Sequence, residues 1–358
     1  MRVLHVINNL ETGGAEKLLT DSLPYYEEEN ISVDVLLLLG NSTNFLIELQ
    51  KKFKGKIMHT KLKSLYNFKQ IARIKNRIRN YDIVHVHLFP ALYWVAFANF
   101  RKKNPILIFT EHSTNNKRMN SFLFKQIDKL IYKKYKAIIA ITPQVKRAII
   151  SKLQIYPQKI HVIYNGVEVS KYKLADSYNK EDFFQQKNIR LLVQVSRFSE
   201  QKDQETVIRS LSLMPSNYCL LFVGEGKTKT KCMELVRELR LNNRVVFLGN
   251  RNDVPQLLKT ADIVIQSSHW EGFGLAAVEG MASNKPVVVS NVSGLAEVVE
   301  GAGILFEKGN IQDLTDKVLS LESLDKYNVT SQKCYERAKV YNLNSMVQKT
   351  VSLYRSLL

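Results

Sequence analysis

The chain has 358 residues, more than one ordinary core accommodates, and so predicts two domains of similar size. Its apolar fraction of 45% and charged fraction of 24% are those of a globular protein and exclude a disordered or low-complexity chain. The net charge of +19 is lopsided: residues 1–180 hold 30 Lys and Arg against 13 Asp and Glu, whereas residues 181–358 hold 22 against 20.

No run approaches the roughly 18 apolar residues needed to cross a bilayer; the strongest, Ile31 to Leu39, is broken by Asp34. Met1 to Leu10 ends in Asn8 and Asn9 without a small-residue cleavage site, so a cytoplasmic protein without a secretory signal is expected. The three cysteines, Cys219, Cys232 and Cys334, are odd in number and far apart, which fits neither a disulfide framework nor a zinc site.

Along the chain, short apolar runs alternate with amphipathic stretches, the rhythm of βα units on a parallel sheet. Strands are expected at Val3–Ile7, Val33–Leu39, Ile83–His87, Ile106–Thr110, Ala137–Ile141 and His161–Tyr164. After the first of these, Thr12-Gly13-Gly14-Ala15-Glu16 reads as a glycine turn opening a helix. It lacks the third glycine of a dinucleotide fingerprint, which disfavours NAD. The turn is either an ordinary tight turn or a backbone approach to acceptor and donor phosphate.

Lys51 to Arg79 then holds 11 basic residues and no acidic one, with Phe68, Ile71, Ile74 and Ile78 at helical spacing. It is either a solvated basic face or a surface for an anionic partner. A membrane fits that partner better than nucleic acid, because no nucleic-acid motif with interleaved aromatics accompanies the charge. His85 and His87 alternate on a strand with no third metal ligand at a plausible spacing, and read as structural. Thr110-Glu111-His112-Ser113-Thr114 ends the next strand, where sites collect in open parallel sheets, so His112 is a candidate functional residue.

Asn165-Gly166 closes this half, and the polar, lysine-rich stretch to Asn188 is expected as a linker, leaving residues 1–165 as one domain. A second domain is expected over 189–335, with strands at Leu191–Ser196, Tyr218–Val223, Val245–Leu248, Ile263–Gln266, Val287–Ser290 and Ile304–Phe306. Residues 336–358 form a helical end segment able to cross back to the first domain. The fold expected is α/β: two Rossmann-like doubly wound parallel sheets facing across a cleft.

Two motifs in the second half carry chemistry. Arg197 and Lys202 follow its first strand and offer a planar fork and a mobile charge, as suits a departing pyrophosphate. Glu271-Gly-Phe-Gly-Leu-Ala-Ala-Val-Glu279 follows the strand ending near Gln266. Backbone N–H groups of Phe273, Gly274 and Leu275 would open a helix onto a phosphate. Glu279, about one and a half turns in, could accept both hydroxyls of a ribose, and Glu271, on the loop, is then available to accept those of a sugar. The plainer reading makes both glutamates ordinary acids at a helix start.

These residues resemble glycosyltransferase family 4, retaining enzymes of the GT-B fold, over essentially the whole chain from Gly13-Gly14 to Ala302-Gly303. The resemblance implies a donor in the C-terminal domain and an acceptor in the N-terminal one. Arg197 and Lys202 would hold the diphosphate, Glu279 the ribose, and Glu271 with the backbone of Phe273, Gly274 and Leu275 the sugar and phosphate. His112 would reach a sugar hydroxyl, and Gly13 and Gly14 would lie near acceptor and donor. His112, Arg197, Lys202 and Glu271 form the expected catalytic set. No cofactor or metal is expected, and no Asp-any-Asp motif follows a strand.

The expected substrates are a nucleotide diphosphate sugar, by family frequency a UDP-sugar, and a saccharide or lipid-linked saccharide of cell-envelope or capsular polysaccharide assembly. The expected location is the inner face of the cytoplasmic membrane, bound peripherally through the basic half. Departures from the family pattern, at Gly280, Asn284 and Ser293-Gly294, bear on donor identity. A sugar-nucleotide epimerase of the same fold and a basic nucleic-acid-binding protein are the alternatives.

Overall fold

The computed structural model describes residues 1–11, 13–40, 43–100, 105–113, 118 and 121–358, without the side chains of Asn44 and Glu48. Thr12 and Thr114 of the two glycine and histidine motifs lie outside the described residues. The chain forms two compact units, residues 1–166 with 343–358, and residues 167–342.

The first unit runs β1 (Arg2–Ile7), α1 (Gly14–Glu28), β2 (Ser32–Leu37), α2 (Asn44–Lys52), β3 (Ile57–His59), α3 (Lys69–Ile78), β4 (Ile83–His87), α4 (Ala91–Ala98), β5 (Ile106–Glu111), α5 (Phe122–Lys134), β6 (Ala137–Ala140), α6 (Pro143–Leu153) and β7 (Ile160–Val162). Its seven strands are all parallel, in the order β3-β2-β1-β4-β5-β6-β7. Strands covered on both faces read as continuous apolar runs, as β6 does, while β4, also buried throughout, carries His85 and His87 on one face.

The sequence reading missed β3. It is a three-residue edge strand with no buried position, so neither alternation nor a long apolar run marks it. In α3, Ile74 and Ile78 face the core as their spacing predicts, but Phe68 at its N-cap is 77% exposed and lies edge-on to Trp94, with ring centroids 5.5 Å apart.

The second unit runs α7 (Val169–Lys173), β8 (Arg190–Val195), α8 (Gln204–Leu213), β9 (Tyr218–Val223), α9 (Lys229–Glu238), β10 (Val245–Phe247), α10 (Val254–Thr260), β11 (Ile263–Gln266), α11 (Leu275–Ala282), β12 (Val287–Ser290), β13 (Ile304–Phe306), α12 (Ile311–Leu319) and α13 (Leu324–Lys339). Its six parallel strands follow the order β10-β9-β8-β11-β12-β13.

Residues 167–188 are not the bare linker that their polar composition suggests. Val169 and Tyr172 of α7 are buried, and α7 packs on α10 and α11 of its own unit. At the other end, α13 belongs to the second unit and packs on α11, while α14 (Leu343–Leu357) belongs to the first. Val347, Val351, Leu353 and Tyr354 of α14 join the core formed by Leu19, Leu23 and Tyr26 of α1. This apolar face is why the last helix returns.

Both sheets reverse their strand order beside the first strand, at β1/β4 and at β8/β11. In open parallel sheets ligands gather beyond the carboxyl ends of the strands at such reversals.

Candidate functional site

The second unit brings together the motifs that follow β8 and β11, the strands on either side of its reversal. Ser267 fastens the two loops, its hydroxyl donating to the carbonyls of Lys202 (2.9 Å) and Asp203 (2.8 Å). Gln194 of β8 donates to Lys202 O at 3.0 Å, and the backbone N–H of His269 donates to Gln201 O at 2.8 Å. Gln204, buried at the start of α8, holds the Arg197 loop through Ser196 Oγ (2.9 Å) and Arg197 O (3.0 Å).

Lys202 is thereby aimed at Glu271, and the two form an ion pair, with Ser268 Oγ donating to the same carboxylate oxygen at 2.8 Å. Glu271, expected on its loop as an acceptor for sugar hydroxyls, thus already carries an ion pair. Only 8% of the residue is exposed, and a carboxylate so buried needs its charge matched.

Gly274 caps α11 with φ +86°, a left-handed conformation that favours glycine, and a Cβ there would meet Leu295 Cδ2 at 2.4 Å. The helix begins at Leu275, so Glu279 is its fifth residue, just over one turn in, and is 4% exposed. The Phe273 ring serves the core, lying edge-on to Tyr341 with centroids 5.2 Å apart, which leaves only its backbone to a ligand.

Sequence reasoning missed the supports Ser268 and Gln204, and it tied Gly294 only to donor identity. Gly294 has φ +90°, and a Cβ would stand 2.4 Å from Glu271 O. Gly294→Ala should therefore destabilise the protein by about 1–3 kcal/mol. It should also weaken nucleotide-sugar binding by displacing Glu271; thermal melting and nucleotide-sugar titration check both effects.

In the first unit Gly13 is extended (φ −157°) and caps α1, its carbonyl accepting from Lys17 N at 2.9 Å. Neither Gly13 nor Gly14 has a positive φ, so the pair marks a helix start rather than a strained turn. His112 follows β5. Neighbouring Glu111 is buried, accepting from Tyr132 Oη at 2.5 Å and Ser113 N at 3.1 Å, which steadies the strand end carrying His112.

No residue near His85 and His87 in sequence offers a third metal ligand, but the sheet brings one from afar: His5 on β1 is registered beside His85 on β4, and His5, His85 and His87 form one buried group. The signal available in the sequence was the placement of His5 and His85 on strands that a reversal makes neighbours. His5 is pushed down to about 3, His112 to about 4, and His85 and His87 well below the ordinary value, in each case first by burial.

Because the folded values lie below the unfolded one near 6.5, these rings stabilise the fold above about pH 6.5. That contribution is lost as pH falls from there toward the folded values. His5 alone should cost about 3 kcal/mol of stability at pH 4.5. The melting temperature should fall steeply between pH 6.5 and 4.5, and less so in His5→Asn.

The model for "Glycosyltransferase Family 4" matches residues 12–171, and that for "Glycosyl transferases group 1" matches residues 178–340. An Escherichia coli UDP-Gal:alpha-D-GlcNAc-diphosphoundecaprenol alpha-1,3-galactosyltransferase is 25% identical over 88% of this chain and 86% of its own length. An uncharacterized glycosyltransferase of Methanocaldococcus jannaschii is 30% identical over 61% of this chain, and the match spans 59% of that protein. In fold the chain is similar to Anabaena HepE, solved in complex with UDP-glucose, with a TM-score of 0.86 at 23% identity over 99% of this chain and 100% of that one. Two reversed parallel sheets, the paired loops after β8 and β11 and matches over both halves lead to one conclusion: the chain belongs to glycosyltransferase family 4 and is a glycosyltransferase of GT-B fold.

Proposed function

We propose that this enzyme transfers a hexosyl or N-acetylhexosaminyl group, with retention and without a metal, from a UDP-sugar to a saccharide or lipid-linked saccharide in cell-surface polysaccharide assembly. The observation that carries the reading is the Lys202–Glu271 pair set ahead of the glycine-capped helix that carries Glu279. The α11 N-terminus and Arg197 receive the diphosphate, Lys202 exchanges part of its bond to Glu271 for phosphate, and Glu279 accepts from the ribose. Glu271 and His112 bind hydroxyls of the transferred sugar, and Gly13 and Gly14 lie beside acceptor and donor. The C1–O bond to the β-phosphate breaks, the acceptor oxygen bonds C1 from the same face, and its proton passes to the departing phosphate oxygen.

The E. coli relative's name, which joins UDP-Gal to an α-1,3 linkage on a diphosphoundecaprenol acceptor, supports both retention and a lipid-linked acceptor. The HepE complex with UDP-glucose supports the donor class. Thermal shifts over a panel of nucleotide sugars identify the donor, and NMR of the product's anomeric proton tests retention. Stabilisation by no UDP-sugar would overturn the donor assignment.

No helix among the described residues is long and apolar enough to cross a membrane. The first unit instead displays Lys51, Lys52, Lys54, Lys56, Lys61, Lys63, Lys69, Arg73, Lys75 and Arg79 in exposed positions, with Tyr66 and Phe68 exposed among them. Attraction to an anionic leaflet is about 1 kcal/mol per basic residue at its surface. We expect flotation with anionic liposomes that weakens as salt rises. Replacing Lys61, Lys63, Lys69 and Arg73 with glutamine should release the protein and leave donor affinity unchanged. A wild type that ignores anionic liposomes at low salt would remove the proposed seat at the inner face of the cytoplasmic membrane.

A further inference from the structure

Four imidazoles from β1, β4 and the end of β5 share one face of the first sheet. His5 Nδ1 lies 3.0 Å from His87 Nε2, and His87 Nδ1 lies 3.3 Å from His112 Nε2. His85 stands beside this line, its Nδ1 2.5 Å from Tyr354 Oη and its Nε2 2.6 Å from Thr110 Oγ1. A metal held by His5, His85 and His87 would have to break the His5–His87 bond and take a hydroxyl from His85. It would also bury two positive charges in a group without a carboxylate. The arrangement is that of a hydrogen-bonded chain of neutral rings, in keeping with the lowered values of all four.

A neutral imidazole has one N–H, so protons along His5, His87 and His112 can be ordered in two directions only. In one, His112 donates from Nε2 to His87 Nδ1, His87 donates from Nε2 to His5 Nδ1, and the last proton sits on His5 Nε2. That atom is buried and has no partner among the described residues. In the other, His5 Nδ1–H donates to His87 Nε2, and His87 Nδ1–H donates to His112 Nε2. An orphaned buried N–H is rarer in folded proteins than an under-satisfied acceptor, which favours the second direction. His112, half-buried at the strand end, then carries its proton on Nδ1, its remaining ring nitrogen.

We propose that His5 and His87 are positioning residues whose ordered chain fixes His112 as the Nδ1–H tautomer, so that it presents a hydrogen-bond donor to a hydroxyl oxygen of the transferred sugar. This rests on the contact between His112 and the sugar proposed above. The three residues then act as one unit: His5 sets the direction, His87 relays it, and His112 delivers it.

The test is nitrogen-15 NMR of histidine-labelled enzyme, with His112 assigned through His112→Ala. His112 is expected as Nδ1–H in the wild type and as a tautomer mixture in His87→Leu. His87→Asn, whose amide N–H replaces Nδ1–H, should restore the wild-type signature. In parallel, His87→Leu should lower kcat/KM about tenfold, the scale of one lost hydrogen bond, and His87→Asn should recover most of it. A wild-type His112 protonated on Nε2 overturns the proposal whatever the activities, and this measurement stands even if His87→Leu fails to fold. So does a His112 tautomer unchanged in His87→Leu, or stoichiometric cobalt(II) binding that is lost in His5→Asn. If the tautomer is as expected but His112→Ala keeps full kcat/KM, the contact with the sugar is what fails.

Discussion

Glu279→Ala should abolish measurable transfer, and it should do so through the donor. Glu279 is 4% exposed on a helix whose start is fixed by Gly274. A buried carboxylate accepting from two ribose hydroxyls contributes about 3 kcal/mol, since charge-assisted hydrogen bonds are worth about 1.5–3 kcal/mol each and part of that is offset on binding. The Kd for the free nucleotide diphosphate should rise about a hundredfold. Isothermal calorimetry with UDP alone isolates the effect from acceptor and chemistry. An unchanged affinity for UDP would remove Glu279 from the ribose site.

Arg197→Ala and Lys202→Ala should each lower kcat about a hundredfold with a smaller change in KM, because both act on charge that grows as the diphosphate leaves. The two differ in structural consequence. Removing Lys202 leaves Glu271 with its bond from Ser268 but without its ion-pair partner, so this variant should also melt lower. The double variant Lys202→Met/Glu271→Gln should recover the melting temperature and not the activity, which separates support from chemistry. Activity should persist in EDTA, and a strict requirement for added manganese or magnesium would overturn the metal-free reading.

Much of this was written locally. The buried strands β6, β9 and β12 announce themselves as apolar runs, because a strand covered on both faces has no polar side to alternate with. The loops after β8 and β11 were legible for a related reason: strand ends at a sheet reversal collect ligands, and glycines before a helix mark a close backbone approach. Elements whose chemistry is ordinary escaped. β3 is three residues at an edge, and α7 hides in a polar stretch because two buried side chains suffice to dock it.

What the tertiary structure alone decided is which separated residues meet. Sequence gives Lys202 and Glu271 the right charges, but their pairing depends on β8 and β11 being neighbours in the sheet. That order is set by how the apolar faces of the intervening helices pack, not by any local pattern. The histidines make the same case. His5 is 80 positions from His85 and 107 from His112, and no local pattern links the three. Only the reversal that lays β1 against β4, with β5 next in order, brings the rings into hydrogen-bonding distance, where burial keeps them neutral and directional.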